Sequence, residues 1–303
     1  MKPGLYLDHK PVGVSSFSRV RDFMARVDAA GLTRKQLPVC HGGTLDPFAE
    51  GLLLLLAGPA THVMDWLHAA PKTYEAEVVW GVETDTGDGL GRPVHSGDST
   101  HLTPEALDAA LGPLLGWTDQ VPPATSAKKL GGEPAYKKAH RGEEVVLPPS
   151  RVYLHEARWL SHDLPRTSRL RLTCRGGYYV RALARELGRA LGCGAHLSRL
   201  HRTAIGPWVD PGPSDGPVGG EGLHGPAVLP WCASRVIAGD EVNHLKHGRT
   251  IARGELRPAP WSPPAGFPDP EGPVLAVQKG RLVALLEEAD GALRVRTHLW
   301  AGV

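Results

Sequence analysis

An acidic residue with unusual neighbours, Asp46, is the first feature of this chain that suggests chemistry. It lies in the stretch HGGTLDPFAEGLLLLLAGPATH (residues 41–62), between a glycine pair and a proline and shortly before five consecutive leucines. A charge close to an apolar core is costly unless it is paired or used. Asp46 is therefore either a reactive carboxylate or a turn residue ahead of Pro47. The glycines favour chemistry because they let a ligand approach closely, whereas His41 is equally explained as a structural donor near a turn.

A cationic segment, residues 122–144 (PPATSAKKLGGEPAYKKAHRGEE), combines positive charge with an aromatic residue and glycine hinges. Cations suit a phosphate backbone, and an aromatic ring suits a stacked base. The alternative is an ordinary solvated loop. The basic side chains of the segment that we consider as contacts to a phosphate backbone are Lys128, Lys129, Lys137, Lys138 and Arg141, which surround Tyr136.

A second positive stretch contains His196, Arg199, His201 and Arg202. Two separated basic stretches favour a polyanionic partner, even though the net charge of the chain is only +2. Arg202 is a further candidate for a backbone contact.

Motifs for bound nucleotides and metals are missing from the sequence. It contains no Walker motif, no G-x-G-x-x-G after a strand, no H-E-x-x-H and no G-x-S-x-G. The acidic residues of TDTGDG, Asp85 and Asp88, lack the remaining ligands of a calcium loop, so we interpret them as turn residues. The four cysteines are scattered without a C-x-x-C pair. We expect no cofactor and no metal.

The elements that position these residues follow from periodicity. A helix is predicted from Ser16, a capping residue type, because Val20, Phe23, Met24 and Val27 follow helical spacing. A half-buried strand is predicted from Tyr74 to Trp80. A second strand, rich in Leu and Arg at 169–175, stops at a glycine pair and passes into a helix, which places Tyr179 and Arg181 in the first helical turn. We expect that turn to form a wall of the site.

The bulk composition predicts a soluble protein of two domains. Of 303 residues, 41% are apolar and 22% charged, and no apolar run approaches the roughly 20 residues of a membrane helix. The amino terminus lacks a signal-peptide core, so we expect a cytoplasmic location. We predict a domain over residues 1–210, a Pro/Gly-rich linker without regular elements over 211–230, and a small β-rich module over 231–303.

The ordered motifs resemble one family, the bacterial TruB-type tRNA pseudouridine synthases. The resemblance is carried by KPVGVSS (10–16), the stretch at 41–62, KTYEAEVVWGVETDTGDGLG (72–91), PPATSAKKLGGEPAYKKAHRGE (122–143) and CRGGYYVRALARELGRALGCGAHLSRLHR (174–202). It implies an α+β pseudouridine-synthase fold, with a mixed, mainly antiparallel sheet, flanking helices and a PUA-like C-terminal domain. It also implies that the T-loop uridine at position 55 of tRNA is converted to pseudouridine. The implied enzyme binds the tRNA T-arm as a monomer, without guide RNA, protein partner or membrane.

The resemblance also implies roles for individual residues. Asp46 matches the catalytic aspartate, and Arg181 matches the arginine that keeps it charged. Tyr74 matches the tyrosine that stacks on the target base, and Tyr179 a second active-site tyrosine. His41 matches a histidine implicated in unfolding the RNA loop, whereas Leu200 matches a residue that lines the uracil pocket. Whether the aspartate attacks the ribose, attacks the base or removes a proton stays open.

Two departures from the family pattern and two competing functions complete the prediction. His41 is followed by two glycines, which removes a hydroxyl group found in the family, and the residues CRGGYY before Arg181 differ from the family's usual sequence. A guide-dependent pseudouridine synthase is the nearest alternative, but residues 122–149 look like the RNA-gripping insert of stand-alone enzymes. An RNA-binding or tRNA-folding protein is the second alternative, and a folding role can accompany catalysis.

Overall fold

Strands alternate with short helices in the computed structural model, which describes residues 1–268 and 272–303 apart from the side chain of His140. The strands are β1 (Gly4–Lys10), β2 (Val39–His41), β3 (Glu50–Ala57), β4 (Lys72–Trp80), β5 (Val82–Thr84), β6 (Pro93–Ser96), β7 (Gly116–Gln120), β8 (Lys129–Leu130), β9 (Glu133–Pro134), β10 (Ser150–Asp163), β11 (Thr167–Cys174), β12 (Ala195–Ile205), β13 (Trp208–Val209), β14 (Gly222–Leu223), β15 (Ser234–Val236), β16 (Ile251–Ala252), β17 (Val274–Gln278), β18 (Arg281–Ala289) and β19 (Ala292–His298). The helices are α1 (Ser16–Ala29), α2 (Met64–Ala69), α3 (Pro104–Leu111), α4 (Ala135–His140), α5 (Val180–Ala190) and α6 (Asp240–Lys246). Among the described residues, no helix has the length and apolar character needed to cross a membrane.

The chain divides into two compact units. One consists of residues 1–45, 51–70 and 206–303, and the other of residues 46–50 and 71–205. The domain boundaries predicted from composition stay a prediction. The expectation that residues 211–230 form no regular element is wrong, because β14 and a 3-10 turn at Gly225–Val228 lie there. Both are short enough to fit between the prolines, and the 3-10 turn begins with a proline in its first turn, where no N–H is needed.

The second unit contains the sheet that carries most of the predicted site. Its strands are antiparallel in the order β12-β4-β11-β10-β7. Strand β4 alternates as predicted, with Lys72, Tyr74, Ala76, Val78 and Trp80 on its buried face. The predicted strand-turn-helix is also confirmed, because β11 ends at Cys174 and α5 begins at Val180. The mixed, mainly antiparallel sheet with flanking helices is therefore confirmed.

Helix α1 begins at Ser16 as predicted, but its cap is one residue earlier. The Ser15 hydroxyl accepts a hydrogen bond from the backbone N of Ser18 at 3.0 Å. The Ser16 hydroxyl instead accepts from the backbone N of Leu45 at 2.8 Å and donates to the Leu45 carbonyl oxygen at 3.0 Å. These two buried bonds fix the residue that immediately precedes Asp46.

The five leucines of β3 are explained by burial on both faces of that strand. Leu52–Leu56 are all fully buried. Leu53 and Leu55 pack with Phe23 and Val27 of α1, whereas their neighbours point to the opposite face. A strand covered on both sides has a continuous apolar sequence instead of an alternating one.

The C-terminal module has the strands that the apolar runs predict. Its sheet has the order β15-β17-β18-β19-β16, in which β15 and β17 are parallel and the other pairs are antiparallel. The turn between β17 and β18 places Lys279 and Gly280 at φ values of 49° and 78°. Asp290 and Gly291 have 51° and 73° in the next turn, so both hairpins have the positive φ pair that two-residue turns require. The prediction of a β-rich C-terminal module is confirmed.

Substitution of one glycine of α5, Gly188, tests how closely this helix packs against the neighbouring chain segment. A Cβ at Gly188 would overlap the backbone of Gly194 and Ala195. We expect Gly188→Ala to lower the free energy of unfolding by about 1–3 kcal/mol, measured by urea denaturation, because backbone atoms cannot move aside. The control is Gly89→Ala, where the nearest atom to the added methyl group is the Leu197 carbonyl oxygen at 3.9 Å, an ordinary van der Waals distance, so we expect a much smaller loss of stability. Equal stability of the two variants would contradict the packing.

Candidate active site

Asp46 and Arg181 form a bidentate ion pair in the second unit. Nε of Arg181 donates to Asp46 Oδ2 at 2.8 Å, and Nη2 donates to Asp46 Oδ1 at 2.9 Å. The Arg181 side chain is 4% exposed, whereas that of Asp46 is 28% exposed. The carboxylate is thus held on one side by a buried cation and remains accessible from solvent. The pairing predicted from the resemblance is present.

The remaining N–H groups of Arg181 are occupied by two loops. Nη1 donates to the Thr86 carbonyl oxygen at 2.7 Å and to Thr125 Oγ1 at 2.7 Å. Nη2 donates additionally to the Thr125 carbonyl oxygen at 3.3 Å. A guanidinium has five N–H donors, so every donor of Arg181 has an acceptor. This saturation fixes the plane of the guanidinium and, with it, the position of Asp46.

Asp88 is a second carboxylate beside Arg181, which the sequence analysis missed. Its Oδ2 atom lies 3.6 Å from Nη1 of Arg181, and the residue is 6% exposed. Asp88 is also a turn residue, as predicted, because Oδ1 accepts from Thr86 Oγ1 at 2.7 Å and from the backbone N of Leu90 at 3.1 Å. The turn interpretation was incomplete. The sequence pattern offers no signal for the arginine, which lies in a distant segment.

Two tyrosines lie close enough to Asp46 to sense its charge. Tyr74, on the buried face of β4, is 7% exposed, and burial raises its pKa to about 12, with a further contribution from the Asp46 charge. Tyr179 caps α5 and donates its backbone N–H to Gln120 Oε1 at 2.8 Å. Burial likewise raises the pKa of Tyr179, and the Asp46 charge adds to the increase. Burial thus favours the neutral form of both phenols.

Strand β12 places Leu200 and Arg202 on the same inward face. Leu200 is 5% exposed and is paired with Ala76. Arg202 is 1% exposed, lies opposite Tyr74, and hydrogen-bonds the Tyr74 phenol, which partly offsets the effect of burial on the pKa of Tyr74. A side chain that is 1% exposed offers little surface to a phosphate, and the predicted contact of Arg202 with the RNA backbone stays a prediction. Arg202 supports Tyr74.

Lys72 and Cys174 lie next to Tyr74 in the sheet, and neither was predicted as part of the site. They lie opposite each other on β4 and β11. Burial lowers the pKa of Lys72 to about 7, and the nearby Arg202 charge acts in the same direction. Burial raises the pKa of the Cys174 thiol to about 12. The signal that could have found Lys72 is the period of two that also places Tyr74 on the buried face.

His41 is the last residue of β2 and pairs with Leu55 of β3. It is half-buried and belongs to the first unit, whereas the residues described above belong to the second. Its predicted role in unfolding the RNA loop stays a prediction.

The basic segment folds as a small hairpin followed by a helix. Strands β8 and β9 pair across Gly131 and Gly132, whose φ values of 62° and 86° are accessible to glycine at little cost, and α4 follows. Lys129 and Lys137 are exposed, and Lys138 is partly exposed.

Two of the predicted phosphate contacts already have partners. The Lys128 ammonium donates to the Ser150 hydroxyl. Arg141 donates to both Glu133 carboxylate oxygens, at 2.8 and 2.9 Å, and to Glu143 Oε1 at 2.6 Å. Lys129 and Lys137 are therefore the basic residues of this segment that are best exposed to a phosphate. The predicted contacts of the whole set stay predictions.

Solved structures identify the class to which this fold belongs. The chain superposes on the crystal structure of a Cbf5-Nop10-Gar1 complex with a TM-score of 0.65 and 21% identity, covering 98% of this chain and 84% of that one. An H/ACA RNP bound to a substrate RNA containing 2′-deoxyuridine gives a TM-score of 0.62 and 19% identity, with the same coverage. The fold is that of the pseudouridine synthases.

Sequence relatives define the family within that class. Residues 32–180 match the TruB family pseudouridylate synthase N-terminal domain, and residues 181–214 match the tRNA pseudouridylate synthase B C-terminal domain. A protein named tRNA pseudouridine synthase B from Cupriavidus metallidurans is 37% identical, over 96% of this chain and 92% of its own length. One from Thermobifida fusca is 35% identical, over 93% of this chain and 96% of its own length. The chain belongs to the TruB family of pseudouridylate synthases.

Other relatives match over a shorter span. The tRNA pseudouridine synthase B of Xanthomonas campestris pv. campestris is 42% identical over 210 residues, which are 69% of this chain and 64% of that protein. The chain thus spans just under two thirds of the length of these relatives.

Lys72, which is buried next to Tyr74 in the sheet, makes the stability of the protein depend on pH. Between pH 7 and about 10 the unfolded chain binds a proton at Lys72 and the folded chain does not, because burial lowers the pKa of Lys72 to about 7. The free energy of unfolding of the wild type, relative to Lys72→Met, should therefore rise by about 1.4 kcal/mol per pH unit in this range. Below pH 7 the penalty of the buried charge is fully present. Urea denaturation at about pH 7, 8 and 9 measures the difference.

The matched control for this pH dependence is the exposed Lys129. Replacing Lys129 by Met removes an ammonium group from the surface instead of from the buried face of β4, so the difference in the free energy of unfolding from wild type should not follow the trend expected for Lys72→Met. Wild-type and Lys72→Met curves that stay parallel with pH would show that Lys72 is charged in the folded protein.

Proposed function

We propose that the protein is a stand-alone tRNA pseudouridine synthase that converts the T-loop uridine at position 55 to pseudouridine. The observation that carries the proposal is the bidentate pair of Asp46 and Arg181, in which a solvent-accessible carboxylate is held by a saturated, buried guanidinium. Family membership and relatives named tRNA pseudouridine synthase B support tRNA as the substrate. We further propose a cytoplasmic monomer that needs neither guide RNA nor a protein partner.

The reaction is an isomerisation, so it needs no external reagent. The bond between ribose C1′ and uracil N1 breaks, the base rotates within the site, and C1′ bonds to C5. The C5 proton is then lost, while N1 gains a proton. An ionised and positioned carboxylate is suited to start this sequence, either as a nucleophile or as a base. Arg181 offers two N–H donors to the two Asp46 oxygens and so holds the carboxylate in one orientation.

The two tyrosines are suited to receive a base that has left its stack. Flipping a nucleotide costs a few kcal/mol, and stacking on an aromatic ring offsets part of that cost. We expect a base stacked on either ring to lie close to Asp46, because Tyr179 is two residues before Arg181, which holds that carboxylate. Leu200, 5% exposed on the neighbouring strand, supplies an apolar wall.

The basic insert favours the stand-alone enzyme over the guide-dependent alternative. Its hairpin presents Lys129 and Lys137 to solvent, as expected of a segment that holds RNA directly. The structural likeness to Cbf5 concerns the fold. A protein that forms pseudouridine in tRNA only when guide RNA is added would favour the alternative.

The catalytic assignment is tested with Asp46→Asn. Wild-type protein should form pseudouridine in an unmodified tRNA transcript without guide RNA, cofactor or metal, and a hairpin of the T-arm should suffice. The Asn variant should show no turnover in single-turnover assays, because an amide is neither nucleophile nor base at this site. Its tRNA affinity should stay within about threefold, since phosphate contacts and stacking do not need the carboxylate.

A surface aspartate provides the control for the loss of charge. Asp119→Asn removes a carboxylate that is 64% exposed and should leave the rate unchanged. A folded Asp46→Asn protein with near wild-type turnover, with deamidation excluded by mass spectrometry, would disprove the catalytic role of Asp46.

The RNA contacts of the insert are tested through salt dependence. Replacing Lys129 and Lys137 by Ala should weaken tRNA binding and reduce the slope of log Kd against log salt concentration by up to about 0.7–0.9 per lost phosphate contact. Lys128→Ala serves as the control, because its ammonium is hydrogen bonded to Ser150 and we expect a smaller change. An unchanged slope in the double variant would remove this hairpin from the RNA interface.

A further inference from the structure

The segment that begins the insert is bonded to the helix that carries Arg181. We call residues 120–126 the insert root. Gln120 Oε1 accepts from the backbone N of Tyr179 at 2.8 Å, and the Val121 carbonyl oxygen accepts from Arg185 Nη2 at 2.6 Å. Thr125 adds its two bonds to Arg181. The insert root is therefore attached to the start of α5 at three places, one of which is the arginine that holds Asp46.

Thr125 accepts two of the five N–H groups of Arg181, as many as Asp46 does. Its hydroxyl oxygen accepts from Nη1 at 2.7 Å and its carbonyl oxygen accepts from Nη2 at 3.3 Å. The Thr86 carbonyl oxygen takes the fifth. The Thr125 hydroxyl is the one acceptor in this group, apart from Asp46 itself, that belongs to a side chain. A substitution can therefore remove it without disturbing a peptide bond.

Loss of that hydroxyl would leave a buried donor without a partner. The Arg181 side chain is 4% exposed, so bulk water cannot readily replace the lost acceptor. Asp88 Oδ2 lies 3.6 Å from the same Nη1 atom, too far for a hydrogen bond but close enough to attract it. If the guanidinium turned toward Asp88, it would no longer form both of its hydrogen bonds to the two Asp46 oxygens.

We propose that Thr125 is a positioning residue for the reaction. Its hydroxyl fixes the orientation of the Arg181 guanidinium, which in turn holds Asp46. Thr125 thereby connects the insert root to the residues that position the catalytic carboxylate. The inference rests on the proposed function. It adds a structural link between the segment that is suited to hold the RNA and the carboxylate that is suited to do chemistry.

The test compares two substitutions that remove the hydroxyl group with one that keeps it. Thr125→Val keeps the shape of the side chain and removes the acceptor, and its single-turnover rate should fall by about 10- to 100-fold. Thr125→Ala, which also lacks the hydroxyl, should show a similar loss and serves if the Val variant does not fold. Thr125→Ser restores the hydroxyl and should stay within about threefold of the wild type. In all three, the Kd for tRNA should stay within about twofold, because Thr125 supports Arg181 and not a phosphate.

A second measurement asks whether Thr125 acts through Arg181. In an Arg181→Lys background the guanidinium is gone, so adding Thr125→Val should change the rate little further. A full additional loss in the double variant would show that Thr125 acts elsewhere and would overturn the proposal. A rate for Thr125→Val within about twofold of the wild type would overturn it as well.

The failure of this inference differs from the failure of the proposed function. A wild-type protein that forms no pseudouridine in tRNA would refute the function, and with it the reaction for which Thr125 is positioned. An active wild type whose rate does not depend on the hydroxyl at position 125 would refute only the role of Thr125. Rescue by Ser together with a constant Kd supports positioning over a general effect on folding.

Discussion

The contact between Arg181 and Asp46 is the interaction on which the site depends, because a buried guanidinium must find an acceptor for every N–H group. Burying a cation without partners costs several kcal/mol, and losing one partner of a buried pair costs about 3–5 kcal/mol. Three separate segments meet this demand: the loop with Asp46, the turn with Thr86 and Asp88, and the insert root with Thr125. The requirement to satisfy one side chain thus fixes the relative positions of loops that are far apart in the sequence.

The sheet of the second unit adds a different constraint, which concerns charge on its inward face. Lys72 and Arg202 lie beside Tyr74, and burial, together with the Arg202 charge, lowers the pKa of Lys72. Such an arrangement reduces stability, so the apolar packing of β4 and α5 must compensate for it. Arg202 nevertheless gives Tyr74 a hydrogen-bonding partner, which fixes the orientation of the ring while the phenol stays neutral. Rigid elements therefore carry the tyrosine and the arginine, and loops carry the groups that close around them.

Local periodicity predicted the strands and helices that carry the site. It could not predict which residues from distant segments contact each other. The strand with Tyr74 and the helix with Arg181 follow from side-chain alternation and a glycine turn, both of which are local properties. Thr125 and Thr86 lie 56 and 95 positions from Arg181, so nothing near either residue indicates its partner. The charge of Arg202 alone does not indicate on which face of its strand the side chain lies. Arg202 follows the buried Leu200 by two positions on a strand, and residues two positions apart lie on the same face. This spacing therefore places the Arg202 side chain on the buried face.

The cysteines have a consequence for how this protein responds to oxidants. The thiolate is the form of cysteine that reacts with peroxides and alkylating agents. Burial raises the pKa of Cys174 and Cys232 to about 12, and it also raises those of Cys40 and Cys193. All four therefore stay protonated and slow to react near neutral pH. Because the buried Cys174 lies opposite Lys72 in the sheet, its raised pKa keeps the reactive thiolate form rare beside the candidate site.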